Sequence, residues 1–135
     1  VISHLYYDLN DKIDNLDQRL DAIDVEAATE PKVYVALLTQ TGTDAPVATI
    51  LKNTLGGIPI WTYSGVGDYV CTLTGVFTTD KTAISCQSTG GAQYGVPLIS
   101  SLALNNFTLS TFDLYAADLG DGVLTKALIK IEVYP

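Results

Sequence analysis

The sequence predicts a mainly β protein in which an N-terminal parallel coiled-coil helix precedes an antiparallel β-sandwich or jelly-roll-like head, assembled as a homotrimer. Apolar residues recur at spacings of four and three along residues 1–30, whereas after residue 31 they alternate with a period of two. Glycine is absent from the first 41 residues and frequent afterwards. We therefore divide the chain into a coiled-coil stalk, residues 1–30, and a β-sandwich head, residues 31–135.

The stalk carries an unbroken heptad repeat. Its a positions are Tyr6, Ile13, Leu20 and Ala27, and its d positions are Ile2, Leu9, Leu16 and Ile23. A strand cannot use this period, because its side chains alternate every two residues. A narrow a/d seam is typical of a helix that packs on copies of itself. The alternative is a helix folded back on the head, but such a helix usually has a wider apolar stripe, and only Leu5 widens this one.

The heptad alone leaves the number of helices open. Ile13 at a with Leu16 at d favours a dimer, whereas Leu20 at a with Ile23 at d favours a trimer or tetramer. Charged residues at the g and e positions favour a parallel arrangement. Heads joined to a stalk in this way commonly form trimers, and we therefore predict three chains.

Eight segments of the head predict strands, because they are rich in β-branched and aromatic residues and are separated by turn residues. Two short stretches, 53–55 and 116–120, are ambiguous between turn and helix. The predicted strands are Val33–Thr39, Val47–Asn53, Ile58–Ser64, Asp68–Gly75, Thr82–Gln87, Val96–Leu102, Phe107–Leu114 and Val123–Tyr134.

Charge excludes some partners. The chain carries a formal net charge of -8, and the stalk, with eight acids and two bases, holds -6 of it. A nucleic-acid partner would need a basic surface, so none is expected. No apolar run approaches the roughly 18 residues of a membrane span, so no membrane insertion is expected. Methionine is absent, and we expect the chain to continue upstream, where other proteins would contact it.

The sequence contains few residues suited to catalysis or to binding a metal or cofactor. Its one histidine, His4, falls at an f position on the solvent side of the stalk, so the serine and cysteine triads lack a base. No zinc or nucleotide motif is present, and we expect no metal, no cofactor and no enzymatic activity. The segment Asp118–Gly122 weakly resembles a calcium loop but lacks its glycine and final glutamate, which favours an ordinary turn.

Cys71 and Cys86 fall on successive predicted strands on either side of a turn near residues 79–81. Two interpretations stay open. The thiols could lie opposite each other and form a cross-strand disulfide, or they could be buried separately as small apolar side chains.

Candidate binding residues come from two glycine-rich segments. Tyr63 and Asp68 belong to the first, and Gln93 and Tyr94 to the second. Aromatic faces beside hydrogen-bonding groups suit sugar recognition or protein contact. Trp61 and Tyr69 could instead fill the core or a subunit interface.

The head also resembles a known module. The resemblance covers residues 33–80 and is carried by Tyr34–Gly57 (YVALLTQTGTDAPVATILKNTLGG), Trp61-Thr62, Gly65–Gly67 and the stretch from Tyr69 to Phe77. It is similar to a recurrent module of fibre and spike proteins from phages of Bacteroidetes-type hosts such as flavobacteria. The resemblance implies a structural protein on the virion surface, usually trimeric, that attaches the particle to a host-surface glycan or protein.

Two other functions fit the same architecture. A bacterial surface adhesin or carbohydrate-binding module would share the stalk and head. A glycan-degrading spike enzyme would need paired carboxylates, and the acids of the head fall mostly in turns, where aspartate is common for backbone reasons.

Overall fold

The computed structural model describes residues 2–87 and 95–135; of residues 22–28 it describes the backbone alone. The chain divides between Glu30 and Pro31 into two compact units. The first contains one helix, α1 (Ile2–Thr29). Glycine and proline are absent from α1, and it ends just before Pro31, whose ring disfavours the helical conformation of the preceding residue.

The second unit, the head, forms two antiparallel sheets. Sheet A has the strand order β2-β1-β9-β5, and sheet B has the order β3-β4-β7-β6, with β8 paired to β7. The strands are β1 (Lys32–Thr39), β2 (Val47–Asn53), β3 (Ile60–Gly65), β4 (Asp68–Thr72), β5 (Thr82–Gln87), β6 (Gly95–Leu102), β7 (Asn106–Asp113), β8 (Asp118–Leu119) and β9 (Ala127–Val133).

The core lies between the two sheets. Alternate residues of each central strand are buried, and they form one apolar cluster with members from both sheets. Phe107 is central to it, with its ring edge-on to the rings of Trp61 and Phe77 at centroid distances of 5.6 and 5.3 Å. Sheet A contributes Tyr34, Ala36, Leu38, Ile129 and Ile131, and sheet B contributes Trp61, Tyr69, Cys71, Phe107 and Leu109.

The mainly β class, the antiparallel sheets and the N-terminal helix are confirmed, and the two layers fit the predicted sandwich. Some strand bounds were wrong. The last strand begins at Ala127 rather than Val123, because Lys126 has a positive φ of 48° that interrupts the extended backbone. Residues 53–55 are not helical: the Asn53 side chain accepts a hydrogen bond from the Leu55 N–H at 3.0 Å and thereby forms a turn. The ambiguous stretch 116–120 contains β8, which was not predicted.

The structure also decides between the two interpretations of the cysteines and confirms the second, two separate thiols. Cys71 and Cys86 are both free. Cys71 lies on β4 of sheet B, whereas Cys86 lies on β5 of sheet A opposite Ile129. Strands that follow each other in the sequence are here in different layers, so the thiols are separate apolar side chains of the core.

Candidate functional site

Two surfaces of the described chain are candidates for function: the seam of α1 and one end of the head. The described seam side chains are all exposed, by fractions between 46% for Ile13 and 84% for Ile2. The others in this range are Tyr6, Leu9, Leu16 and Leu20; the side chains of Ile23 and Ala27 lie outside the described part. An apolar stripe that is open to solvent along the whole described length of a helix marks an interaction surface.

The polar sides of α1 hold one close ion pair among the described residues, between Lys12 and Asp8 at 3.6 Å. Both side chains are largely exposed, so the pair contributes at most a few tenths of a kcal/mol. The stability of this helix therefore depends on what covers its seam.

The second candidate is the end of the head where β1 finishes, which we call the loop end: residues 40–46, 65–67 and 114–126. Asp121 holds it together. One carboxylate oxygen accepts the Gly67 N–H at 2.7 Å and lies 3.1 Å from the Tyr69 hydroxyl, and the other accepts the Tyr63 hydroxyl at 3.0 Å. The β3–β4 hairpin and the segment around Asp121, which are far apart in sequence, therefore meet at one carboxylate.

Gln40 extends this network to the first hairpin. Its Oε1 atom accepts the Gly122 N–H at 2.6 Å and lies 2.8 Å from the Tyr69 hydroxyl. Its Nε2 atom donates to the carbonyls of Gly42 and Asp44 at 2.7 and 3.0 Å. Burial, reinforced by the nearby Asp121 carboxylate, raises the pKa of Tyr69 far above its usual value, so this hydroxyl keeps its proton and acts as a donor.

Gly67 lets the β3–β4 turn approach β7 closely. Its φ is +70°, and a Cβ there would lie 2.7 Å from the Thr111 carbonyl oxygen and 2.8 Å from the Gly120 nitrogen. The Thr111 N–H donates to the Gly67 carbonyl at 2.7 Å, and the Thr111 hydroxyl donates to the Gly120 carbonyl at 2.7 Å. The loop end is thus fixed by hydrogen bonds within the head before any ligand is present.

This fixed scaffold presents apolar side chains to solvent. Tyr115 is 76% exposed, Val66 58% and Leu114 55%. The β7–β8 turn that carries Tyr115 is shaped by Asp113, whose Oδ1 atom accepts the Tyr115 N–H at 2.9 Å. Sequence reasoning missed these three residues, although Tyr115 directly follows the predicted strand that ends at Leu114 and precedes a turn-like segment, where large apolar residues are unusual.

The structure describes two of the four predicted binding residues, Tyr63 and Asp68, and they face opposite sides of sheet B. Tyr63 is half-buried, and its hydroxyl donates to Asp121. Asp68 faces the other side of sheet B, where its Oδ1 atom accepts the Ser110 hydroxyl at 2.5 Å. Gln93 and Tyr94 lie outside the described residues. Trp61 and Tyr69 belong to the apolar core, which is one of the two alternatives to a binding role that the sequence offered.

The carboxylates of the calcium-like segment are engaged within the protein. Asp121 binds the three donors above, and Asp118 accepts the Leu119 N–H at 2.8 Å. The described residues contain no cluster of three or more histidine, cysteine or acidic side chains suited to a metal ion.

Comparison with known proteins identifies no relative: no family model, no curated protein and no solved structure matches this chain. Within the described ranges, no helix has both the length and the apolar character needed to cross a membrane.

Proposed function

We propose that this protein is a structural attachment protein of a bacteriophage, a fibre or spike whose homotrimeric coiled-coil stalk carries β-sandwich heads that bind a host-surface glycan. One observation carries the proposal. The head buries an apolar core of its own, whereas α1 leaves every described seam side chain exposed. A helix of this kind serves to join copies of the head, and the resemblance to phage fibre modules supports a place on the virion surface.

The loop end is the proposed contact with the glycan. The Tyr115 ring offers a flat aromatic face on a turn fixed by Asp113, and such a face stacks on the apolar side of a sugar ring. Each contact is weak on its own, but three heads on one stalk bind a repetitive surface with a much higher avidity. The attachment mechanism requires no catalysis and no cofactor.

The first test is the mass of the assembly. Light scattering at micromolar concentration should give three times the chain mass of 14.4 kDa. A monomer would contradict the proposal, and a dimer would correct the number of chains.

The second test is binding of the labelled full chain to flavobacterial host cells. Tyr115→Ala should weaken binding about tenfold or more. Tyr134→Ala is the matched control, because Tyr134 is also exposed but follows β9 at the other end of the head. Competition by glycans released from the same cells should abolish binding. If only protease treatment of the cells abolishes it, the receptor is a protein and the glycan assignment fails.

A further inference from the structure

We propose that the outer face of sheet A around β1 is a head-to-head contact between copies of this chain. This inference rests on the proposed oligomer and names the surface through which its heads pack. We call this surface the β1 face; it comprises Val33, Val35, Leu37, Val47 and Leu128.

The β1 face is apolar where a solvent-facing sheet is usually polar. Tyr34, Ala36 and Leu38 point into the core, so the alternate residues of β1 point outward. Three of these four residues, Val33, Val35 and Leu37, are apolar, and the fourth is Thr39. Leu37 pairs with Leu128 on β9, which extends the apolar surface across the two central strands. A strand with a nearly continuous apolar run is typical of a strand covered on both faces.

Sheet B provides an internal comparison. The outward residues of its central strand β7 are Asn106, Thr108, Ser110 and Phe112. Hydroxyls dominate there: Ser110 bonds to Asp68, and Thr108 accepts the Ser101 hydroxyl at 2.9 Å. Hydroxyls thus line the middle of sheet B, and its exposed apolar residues Ile60, Val96 and Leu98 lie on its edge strands, whereas the β1 face is apolar along a central strand.

A neighbouring edge also lacks a partner among the described strands. β2 is the edge strand of sheet A and pairs with β1 on one side. It exposes Val47, Ile50 and Leu51, with Lys52 as its one charged residue. An edge strand that exposes apolar residues and carries a single charge is a site for association unless something covers it.

Chain connectivity indicates that a second copy is the occupant. Two residues, Glu30 and Pro31, separate α1 from β1, and this segment reaches about 10 Å when extended. Helices of a coiled coil lie about 8–10 Å apart, so the β1 strands of two copies would start within about 30 Å of each other. A domain of this size has a radius of gyration of about 13 Å, so such heads have little room to stay apart.

Charge does not oppose this contact. Lys130 and Glu132 also point outward from sheet A, but they neutralise each other at 2.9 Å. Of strands β1, β2 and β9, the other charged residue on the outer face of sheet A is Lys52, which lies opposite Val35. Repulsion between like copies is therefore small beside the apolar surface that contact would remove from water.

The test uses the full chain with Leu37→Glu, and Leu98→Glu as the matched control on the outer face of sheet B. Leu37→Glu should keep the trimer mass, which α1 sets, but should increase the radius of gyration in small-angle X-ray scattering as the heads separate. Leu98→Glu should leave that radius unchanged. Near-ultraviolet circular dichroism checks that each head is folded.

Cross-linking covers the case in which Leu37→Glu fails to fold. Val35→Cys should be linked between copies by a short bis-maleimide at neutral pH, whereas Val70→Cys, on the outer face of sheet B, should not.

Equal cross-linking of the two variants, or an unchanged radius in a folded Leu37→Glu trimer, would overturn the inference and leave the attachment function standing. A monomeric natural chain would overturn both. Loss of host-cell binding in a Leu37→Glu trimer of unchanged radius would assign the β1 face to the receptor instead.

Discussion

The two units of the chain place their apolar side chains in opposite ways. In α1 the described seam is open to solvent from Ile2 to Leu20, while in the head residues such as Phe107 and Ile131 are fully buried. A single chain can therefore stabilise the head, because the head buries an apolar core of its own. An isolated helix of this kind is marginal in water. The difference teaches that the head should fold independently of concentration, whereas α1 should need other copies.

The strongest way to break this comparison is to charge the seam. Leu16→Asp would place one carboxylate from each chain in the same d layer of the coiled coil. Burying unpaired charge is very costly. We expect the oligomer to be lost, as measured by sedimentation, with the near-ultraviolet spectrum of the head preserved. Gln18→Asp is the control, because it adds the same charge two residues away on the outer side of the repeat. Equal loss in both variants would contradict the heptad assignment.

The second change acts on the head core. Phe107→Ala removes the ring that contacts Trp61 and Phe77 edge-on, and such deletions cost about 3–5 kcal/mol. Phe112→Ala is the control on the same strand, because Phe112 faces outward and is half-buried. Chemical denaturation followed by tryptophan fluorescence should show the large loss for Phe107→Ala and a much smaller one for Phe112→Ala. Similar losses would mean that the interior cluster does not carry the stability of the head.

A smaller effect is expected at the loop end. Asp121→Asn removes the charge and one acceptor oxygen from the group that holds Tyr63, Gly67 and Tyr69. Losing a hydrogen bond to a charged group costs about 1.5–3 kcal/mol. Hydrogen exchange should accelerate at the Gly67 amide, whereas Asp118→Asn should leave that amide protected. If the Gly67 amide exchanges equally fast in the natural chain, the loop end is not the fixed scaffold described above.

The sequence was sufficient to predict helices and strands that show a regular spacing of apolar residues along the chain. The heptad of α1 and the alternation along β2 and β5 predicted those elements well, because a single residue spacing determines each face. The β3–β4 hairpin could also be located, since Gly67 permits a tight turn. The short strand β8 was not predicted, because two residues are too few to show a repeating pattern.

Contacts between distant segments could not be predicted. Asp121 was assigned to a turn, and nothing local in its segment indicates that Tyr63 and Tyr69 donate to it. The order of strands in the sheets likewise decides that Cys71 and Cys86 are apart, and that order depends on the packing of the whole head. Tyr115 was missed for a related reason, since its exposure depends on how the β7–β8 turn projects from the sandwich.

The smallest expected effect concerns pH, and it again separates the head from α1. Burial raises the pKa of Cys86 to about 11, and it raises the pKa of the more deeply buried Cys71 further. The unfolded chain releases these thiol protons around pH 9 while the head retains them, so the stabilisation is complete near pH 7 and declines as the pH rises through 9 toward the folded-state values. Denaturation in reducing buffer should show the head losing about 1 kcal/mol between pH 7 and pH 9. In the Cys71→Ala/Cys86→Ala variant this loss should largely disappear.

The seam of α1 contains no thiol, so the oligomer mass should stay constant over the same range. An equal pH dependence in the alanine variant would show that these thiols are not shielded in the core and would weaken the contrast between a closed head and an open helix.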